Sequence, residues 1–281
     1  MSTSRTRLFC IIGDPVEHSV SPEIFTRAFS ARGMDAAYLA FRVPSERLGE
    51  AIMGLKAIGF AGCNVTIPHK LRVMDHLDWI DETARVAGAV NVVKAEGGRL
   101  SGYNTDMKGA LLALEGVQLN GKRIAIVGYG GAARSVAFAI SSSYRPKEVV
   151  ITGRKLEPAE SLARCLSRVI ESRAVPLEDL AELEPDVIVN ATPLGMCPDM
   201  ERAPVDPRVL RNGMTVFDLV YNPMETKLLK LARGAGCRTV GGIEMLVGQA
   251  AAAFEIWTGE PAPVSEMREA AKEALGAKRA K

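Results

Sequence analysis

The stretch VGYGGAARS, residues 127–135, contains a glycine-rich pattern that indicates the fold of this chain. The apolar run RIAIV leads into it and the helical pattern GAARSVAFAI leads out of it, so it joins a predicted strand to a predicted helix. In that context Gly128, Gly130 and Ala133 satisfy the G-x-G-x-x-A pattern of a dinucleotide-binding loop. Residues without bulky side chains let backbone N–H groups and the helix N-terminus approach a pyrophosphate. Glycine-rich turns also occur for packing reasons, so the pattern needs support from the rest of the chain.

Short apolar runs alternate with longer helical patterns along the whole chain. Strands are predicted at 7–13, 36–43, 123–130, 148–153, 186–192 and 214–220. Helices are predicted at 21–33 (with Ser21 as the N-cap), 45–59, 107–116 and 131–144, and a hairpin over 88–106 turns at Gly97 and Gly98. This βαβα alternation predicts an α/β fold with a mainly parallel sheet and helices on its faces.

Composition excludes several classes of protein. The 281 residues are comfortable for two domains, and 47% hydrophobic with 24% charged residues is a globular composition. A formal charge of +2 indicates no nucleic-acid partner and no membrane partner. The five cysteines are scattered and form no C-x-x-C pair, which predicts reduced thiols, no metal site and a cytoplasmic location. No apolar run has the length of a signal peptide or a membrane span.

The strand that follows the glycine-rich loop indicates which dinucleotide is bound. An NAD site usually carries an acidic residue near the end of that strand, where it accepts hydrogen bonds from the ribose. The segment EVVITGRKLEP instead places Gly153, Arg154 and Lys155 there. Two cations attract a 2′-phosphate, which favours NADP. A solvated basic turn is the alternative interpretation.

The first 106 residues carry polar side chains at strand and helix ends. NVTIPHK, residues 64–70, alternates as a strand until Pro68 and delivers Asn64, Thr66 and Lys70 to one end. Ser19 and Ser21 lie at a helix start, where hydroxyls and free N–H groups can hold a carboxylate. Simpler interpretations exist: Ser21 caps the helix, Lys70 is a surface lysine, and Asp106 is the N-cap of the next helix. Gln249 and Asn91 are amides in apolar patterns that need a partner, either a ligand or a backbone carbonyl.

The order of these motifs resembles the shikimate dehydrogenase family over essentially the whole chain. The segments that carry the resemblance are GDPVEHSVSP (13–22), NVTIPHK (64–70), GAVN (88–91), GYNTD (102–106), GYGGAARS (128–135), NATPLGM (190–196), DLVYNP (218–223) and GGIEMLVGQAAAAFEIWTG (241–259). The resemblance implies reversible reduction of 3-dehydroshikimate to shikimate with NADPH, on the route through chorismate to the aromatic amino acids.

The resemblance also implies roles for individual residues. Lys70 and Asp106 would form an acid/base pair, in which Lys70 is the acid/base catalyst and Asp106 orients it and hydrogen-bonds the reacting hydroxyl. Ser19, Ser21 and Tyr221 would bind the substrate carboxylate, and Asn64, Thr66, Asn91 and Gln249 would join the catalytic pair around the hydroxyls. NADP(H) would be held by Gly128, Tyr129, Gly130, Gly131, Ala132, Gly153, Arg154, Lys155, Leu219 and Gly242, with Gly242 near the nicotinamide.

The domain organisation follows from the same resemblance. A substrate-binding domain would comprise residues 1–106 and 243–281, with the C-terminal helices returning to it. A Rossmann-like NADP-binding domain would comprise residues 107–242. The reacting atoms would lie in the cleft between the domains, which would close during the reaction.

The chain departs from the family pattern at a few positions. Phe25 stands where histidine is frequent. In the cofactor segment, Gly153 replaces an asparagine, Lys155 replaces a threonine, and Pro158 occupies a later basic position. Arg154 remains and Lys155 supplies a second cation, so NADP stays the expected cofactor.

Other functions remain open from the sequence. A quinate/shikimate dehydrogenase using NAD or NADP and an amino-substituted shikimate dehydrogenase share the fold. A non-catalytic NADP-sensing protein is an alternative of another class, although it would have no need for Lys70, Asp106 and the serine pair together. Monomer and homodimer are both compatible with the sequence.

Overall fold

The computed structural model describes residues 3–279 and divides the chain into two compact units. One unit is formed by the chain up to Gly109 together with the segment from Val247 onward, and the other by Ala110–Leu246. Among the described residues, no helix combines the length and the apolar character needed to cross a membrane. The predicted two-domain α/β fold is confirmed, including the return of the C-terminal helices to the first unit.

Strands and helices alternate through most of the chain. The strands are β1 (Arg7–Gly13), β2 (Ala36–Arg42), β3 (Gly62–Val65), β4 (Trp79–Ile80), β5 (Val92–Glu96), β6 (Arg99–Tyr103), β7 (Arg123–Val127), β8 (Glu148–Thr152), β9 (Ser172–Ala174), β10 (Val187–Asn190), β11 (Thr215–Asp218) and β12 (Arg238–Val240). The α-helices are α1 (Ser21–Ala31), α2 (Leu48–Ala57), α3 (Glu82–Ala87), α4 (Asp106–Ala113), α5 (Gly131–Ser143), α6 (Leu156–Leu166), α7 (Lys227–Gly234), α8 (Gly242–Thr258) and α9 (Val264–Arg279).

The first unit contains a mixed, mainly parallel sheet in the order β2-β1-β3-β5-β6-β4. β1 is parallel to both β2 and β3, and β4 is parallel to β6. β5 and β6 form the predicted antiparallel hairpin, and β5 is also antiparallel to β3. Gly97 and Gly98 form its turn with φ of 58° and 77°, and two positive φ values at a two-residue turn match the right-handed twist of the strands.

An aromatic cluster joins the C-terminal helices to this sheet. The cluster contains Phe9, Phe25, Phe29, Tyr38 and Trp257, whose rings lie within 4.5–6.3 Å of their neighbours. The indole N–H of Trp257 donates to the carbonyl oxygen of Val93 at 3.0 Å. A Cβ at Gly62 would collide with the same indole, so β3 needs a glycine where α8 crosses it.

The second unit is a Rossmann-like domain. Its sheet has the order β12-β11-β10-β7-β8-β9, and every neighbouring pair is parallel. The first strand of this unit, β7, therefore lies in the middle of the sheet. β8 and β9 follow on one side of β7, and β10, β11 and β12 follow on the other side. This order creates a switch point between β7 and β10, where doubly wound sheets bind their ligands at the carboxyl ends of the strands.

One predicted helix cap is wrong. The residue at the N-cap of α1 is Val20, no side chain makes a capping hydrogen bond there, and Ser21 is already helical. Ser19 instead accepts a hydrogen bond from the backbone N–H of Ser21 at 3.2 Å. Capping thus does not explain the side chain of Ser21, because its hydroxyl caps no N–H group of α1.

A buried glutamate links the three strands of one half of the second sheet. Glu148 begins β8 and makes ion pairs with Arg123 of β7 and Arg173 of β9. Burial acts to raise the pKa of Glu148, but the hydrogen bonds from both arginines outweigh it, and the pKa lies below its ordinary value.

Replacement of this glutamate is expected to make stability depend less on pH. Because its pKa is lowered on folding, Glu148 stabilises the protein above the ordinary glutamate pKa of about 4.3, and the effect is lost as pH falls through the lowered value. Glu148→Gln should cost about 2 kcal/mol at pH 7, and the difference from wild type should shrink with acid. Thermal unfolding from pH 3 to pH 8 measures this, with Glu160→Gln on the exposed face of α6 as the control. A constant difference across that range would contradict the ion-pair account.

Candidate active site

A lysine and an aspartate form an ion pair in the first unit. Lys70 Nζ is paired with Asp106 Oδ2, and their side chains are only 16% and 5% exposed. Lys70 follows β3 after a cis Ile67-Pro68 bond, and Asp106 is the first residue of α4. The backbone carbonyl of Lys70 accepts from Val90 N–H at 2.8 Å, which anchors the lysine segment to the chain before β5. An ammonium and a carboxylate with little access to water form a pair suited to proton transfer.

Asn91 connects this pair to its surroundings. Its side-chain Nδ2 donates to Asp106 Oδ1 at 2.8 Å and to Thr105 Oγ1 at 2.9 Å. Its Oδ1 accepts from the backbone N–H of Thr105 at 2.7 Å. Because Asp106 Oδ1 is occupied by Asn91, Oδ2 is left for Lys70. The amide therefore fixes which carboxylate oxygen meets the ammonium.

Gln249 joins the same group of side chains from α8. Its Oε1 lies 3.5 Å from Asn91 Nδ2, at the outer limit of a hydrogen bond. The sequence placed Gln249 about 160 residues from Asn91 on an otherwise apolar helix, and the return of α8 to the first unit brings the two amides together. Another predicted site residue thus lies within hydrogen-bonding reach of this half-buried amide.

Asn64 lies at the end of β3 beside the same cluster. It is 5% exposed, its Nδ2 donates to the backbone carbonyl of Asn91 at 3.2 Å, and its Oδ1 accepts from the Tyr38 hydroxyl at 2.6 Å. Thr66 follows in the chain and is tied to β1 through its N–H, which donates to the carbonyl oxygen of Ile12 at 2.9 Å. Asn64 and Lys70 thus both approach the segment around Asn91, through the bonds to the Asn91 and Lys70 carbonyls, and the role of the Thr66 side chain stays a prediction.

The predicted substrate residues are divided between the two units. Ser19, Ser21, Asn64, Thr66, Lys70, Asn91, Asp106 and Gln249 all belong to the first unit. Tyr221 belongs to the second unit, in the loop that follows β11. Their substrate contacts stay predictions, whereas the contacts among Lys70, Asp106, Asn91 and Gln249 are direct.

The glycine-rich loop of the second unit fits a dinucleotide phosphate. Gly128 has φ of +121°, and a Cβ there would lie 2.9 Å from the carbonyl oxygen of Ala191 at the switch point. Packing alone thus requires a glycine at 128. At Gly130, the N-cap of α5, a Cβ would meet nothing within 4 Å. Because no protein group requires that glycine, the open space at the N-terminus of α5 suits an approaching anion.

The side chain of Tyr129 explains the unusual glycine after β8. A Cβ at Gly153 would lie 2.9 Å from Tyr129 Cε1, so the ring of Tyr129 covers the position where the family pattern has asparagine. Arg154 and Lys155 follow and are exposed. β7 and β8 are parallel with Val127 opposite Thr152, so these two cations lie at the same sheet edge as the glycine-rich loop.

Close backbone packing also determines the residue at the start of α8. A Cβ at Gly242 would overlap the backbone carbonyl of Leu219, the residue after β11. These two predicted cofactor residues are therefore neighbours in the second unit, and only glycine fits at 242. Gly131 and Ala132, the other predicted loop residues, form the first turn of α5.

A buried polar network lies beside the switch point and was not predicted from the sequence. Asp218 at the end of β11 accepts from Asn190 Nδ2 at 2.8 Å and from Thr226 Oγ1 at 2.6 Å. Burial raises the pKa of its carboxyl above the usual value, and the hydrogen bonds act in the opposite direction. The sequence did carry a signal for this network: a polar residue ends each of the apolar runs DVIVN and TVFD. Asn64, beside the apolar residues of β3, was identified by a similar signal. This network braces the loop that carries Leu219 and Tyr221.

A Rossmann-like unit with a phosphate-binding loop, next in sequence to a unit with a shielded lysine–aspartate pair, defines the class of dinucleotide-dependent oxidoreductases. Residues 11–93 match the family model described as the shikimate dehydrogenase substrate binding domain. Residues 111–218 match the model for shikimate / quinate 5-dehydrogenase, and residues 242–272 match the shikimate 5′-dehydrogenase C-terminal domain. The chain belongs to the shikimate dehydrogenase family.

Individual relatives match over almost the full length. A shikimate dehydrogenase (NADP(+)) of Moorella thermoacetica is 44% identical over 97% of this chain and 95% of its own. A crystal structure of shikimate dehydrogenase in complex with NADP+ superimposes with a TM-score of 0.89 at 41% identity and covers 98% of both chains. The Thermus thermophilus shikimate 5-dehydrogenase in complex with NADP(H) and shikimate gives 0.86 at 36% identity, over 96% of this chain and 100% of its own.

Proposed function

We propose that this chain catalyses the reversible, NADP-dependent interconversion of shikimate and 3-dehydroshikimate. The observation that carries the proposal is the shielded Lys70–Asp106 ion pair, held by Asn91 in a group of amides. Such a group suits a small polyhydroxylated acid, because amide donors and acceptors can pair with several hydroxyl groups at once. Its relatives that match over nearly the full chain carry the name shikimate dehydrogenase (NADP(+)).

Lys70 transfers the proton in this proposal, and Asp106 positions Lys70. In the reducing direction the Lys70 ammonium donates a proton to the carbonyl oxygen that becomes the hydroxyl. In the oxidising direction the neutral amine accepts that proton back. Asp106 keeps its charge throughout and holds Lys70 in position, while Asn91 orients the carboxylate. NADPH, when bound, supplies the hydride for the carbonyl carbon.

The other site residues bind and orient the substrate. Ser19 and Ser21 bind the substrate carboxylate with Tyr221, and the absence of a capping role for the Ser21 hydroxyl supports this assignment. Asn64, Thr66, Asn91 and Gln249 bind the hydroxyl groups. Residues up to 106 and from 243 onward then form the substrate domain, and residues 107–242 form the NADP domain.

The second unit holds the cofactor in the same proposal. The N-terminus of α5 with Gly130, Gly131 and Ala132 binds the pyrophosphate, and Arg154 with Lys155 binds the 2′-phosphate. Tyr129 and Gly153 shape the adjacent surface, and Gly242 with Leu219 lies near the nicotinamide.

Initial rates with four pairs of compounds test the proposal. The purified protein is supplied with shikimate or quinate and with NADP+ or NAD+, and cofactor reduction is followed by absorbance. We expect rapid reduction of NADP+ with shikimate and much slower rates in the other pairs. Comparable rates with quinate would instead indicate a quinate/shikimate dehydrogenase. No activity in any pair would contradict the proposal and favour the aminoshikimate or sensor alternatives.

Removal of one cation from the 2′-phosphate site should weaken discrimination between the cofactors. A charge-assisted hydrogen bond contributes about 1.5–3 kcal/mol, so Arg154→Ala should raise the KM for NADP+ about tenfold or more. The KM for NAD+, which has no 2′-phosphate, should change less than about twofold. Arg164→Ala, on an exposed face of α6 in the same unit, is the matched control. An equal increase for both cofactors would show that Arg154 does not read the 2′-phosphate.

A further inference from the structure

Tyr38 is a buried tyrosine whose polar end meets the predicted substrate site. It lies on β2, is 4% exposed, and its ring stacks on Phe25 with centroids 4.5 Å apart and planes 7° from parallel. Its hydroxyl donates to Asn64 Oδ1 at 2.6 Å. The aromatic cluster thus holds the ring, and the hydroxyl holds the side chain of Asn64, which the proposed function assigns to the substrate hydroxyls.

The orientation of the Asn64 carboxamide follows from its partners. The group facing the backbone carbonyl of Asn91 must be Nδ2, because a carbonyl oxygen can only accept a hydrogen bond. Oδ1 then faces Tyr38, which must donate. With one N–H directed to Asn91, the second N–H of Asn64 remains for an accepting oxygen.

We propose that Tyr38 is a positioning residue for substrate recognition: its hydroxyl holds the Asn64 carboxamide in the orientation that offers an N–H to a substrate hydroxyl. This inference rests on the proposed function, because Asn64 is one of its substrate contacts. A phenylalanine would keep the stacking on Phe25 but would let the amide rotate.

The hydroxyl of Tyr38 stays a donor over the pH range of an assay. Burial raises the pKa of Tyr38 well above its usual value, with further contributions from the thiols of Cys10 and Cys63. The proton needed for the bond to Asn64 is therefore present near neutral pH. The positioning effect should accordingly not titrate between pH 6 and pH 9.

Steady-state kinetics of Tyr38→Phe test the inference. One neutral hydrogen bond contributes about 1 kcal/mol, so we expect the KM for shikimate to rise about fivefold. The kcat and the KM for NADP+ should stay within about twofold of wild type. Tyr144→Phe, at the end of α5 in the other unit, is the control for loss of a tyrosine hydroxyl. Thermal unfolding of each variant separates a substrate effect from loss of folded protein.

A double-mutant cycle with Asn64→Ala tests whether Tyr38 acts through Asn64. If it does, Tyr38→Phe should raise the KM for shikimate in the wild-type background and have little further effect in the Asn64→Ala background. The same fold-change in both backgrounds would overturn the inference, as would an unchanged KM in Tyr38→Phe. Wild-type turnover of shikimate in the same assay shows that the proposed function holds, so either result would then count against Tyr38 alone. An inactive wild type would overturn the proposed function and this inference together.

Discussion

Replacing Lys70 with alanine is expected to lower kcat for shikimate oxidation about a hundredfold to ten-thousandfold, the usual contribution of a general acid or base. The reason is that the variant loses the amine that exchanges a proton with the reacting oxygen while Asp106, Asn91 and Gln249 remain. The KM for NADP+ should be unchanged, and the affinity for shikimate should change much less than kcat. Steady-state rates together with calorimetric binding of shikimate separate these effects.

A second lysine–aspartate pair in the same unit supplies the control. Lys56 and Asp78 form an ion pair of 3.2 Å on the surface of the first unit. Lys56→Ala removes an ammonium from a salt bridge without touching the site, so its kcat should match wild type. A kcat near wild type in Lys70→Ala would remove Lys70 from the mechanism.

Replacing Asp106 with asparagine is expected to lower kcat about tenfold to a hundredfold, because a hydrogen bond to a charged group is worth about 1.5–3 kcal/mol. Asn91 donates to Oδ1, so an asparagine at 106 would keep its oxygen there and turn its amide group toward Lys70. Two donors would then face each other, and the ammonium would lose its counterion. The effect should fall mainly on kcat.

Asp78→Asn on the surface pair is the matched control and should leave kcat unaltered. Combining Asp106→Asn with Lys70→Ala in one protein gives a further check. If Asp106 works by positioning Lys70, Asp106→Asn should add little to the defect of Lys70→Ala. Fully multiplicative defects would mean that Asp106 acts on the substrate independently of the lysine.

Local patterns were sufficient for most of the fold. The apolar runs RLFCIIG and EVVIT lie in β1 and β8, and the paired glycines 97 and 98 close the hairpin where expected. The glycine-rich stretch joins β7 to α5. In each case the signal is carried by residues close together in the chain, where periodicity and turn chemistry decide the structure. Very short elements such as β4 and β12 carry too few residues for a periodic pattern and were not predicted.

The contacts within the candidate site depend on long-range packing. Asn91 and Gln249 are 158 positions apart and meet because α8 returns to the first unit. The sequence predicted a strand around Tyr38 but no role in the site, because nothing near Tyr38 in the chain shows that its hydroxyl reaches Asn64 across the sheet. The capping role of Ser21 failed for a related reason: helix-start statistics favour serine, but here α1 begins one residue earlier than the cap requires.

Chemical rescue of Lys70→Ala tests whether the Lys70 amine transfers the proton. The measurement is kcat of shikimate oxidation by Lys70→Ala, Asp106→Asn and wild type with increasing ethylamine at constant pH and ionic strength. We expect a saturable increase for Lys70→Ala, because the small amine can occupy the space left beside Asp106, and no increase for the other two proteins. Equal responses in all three proteins, or undiminished activity of Lys70→Ala without amine, would contradict it.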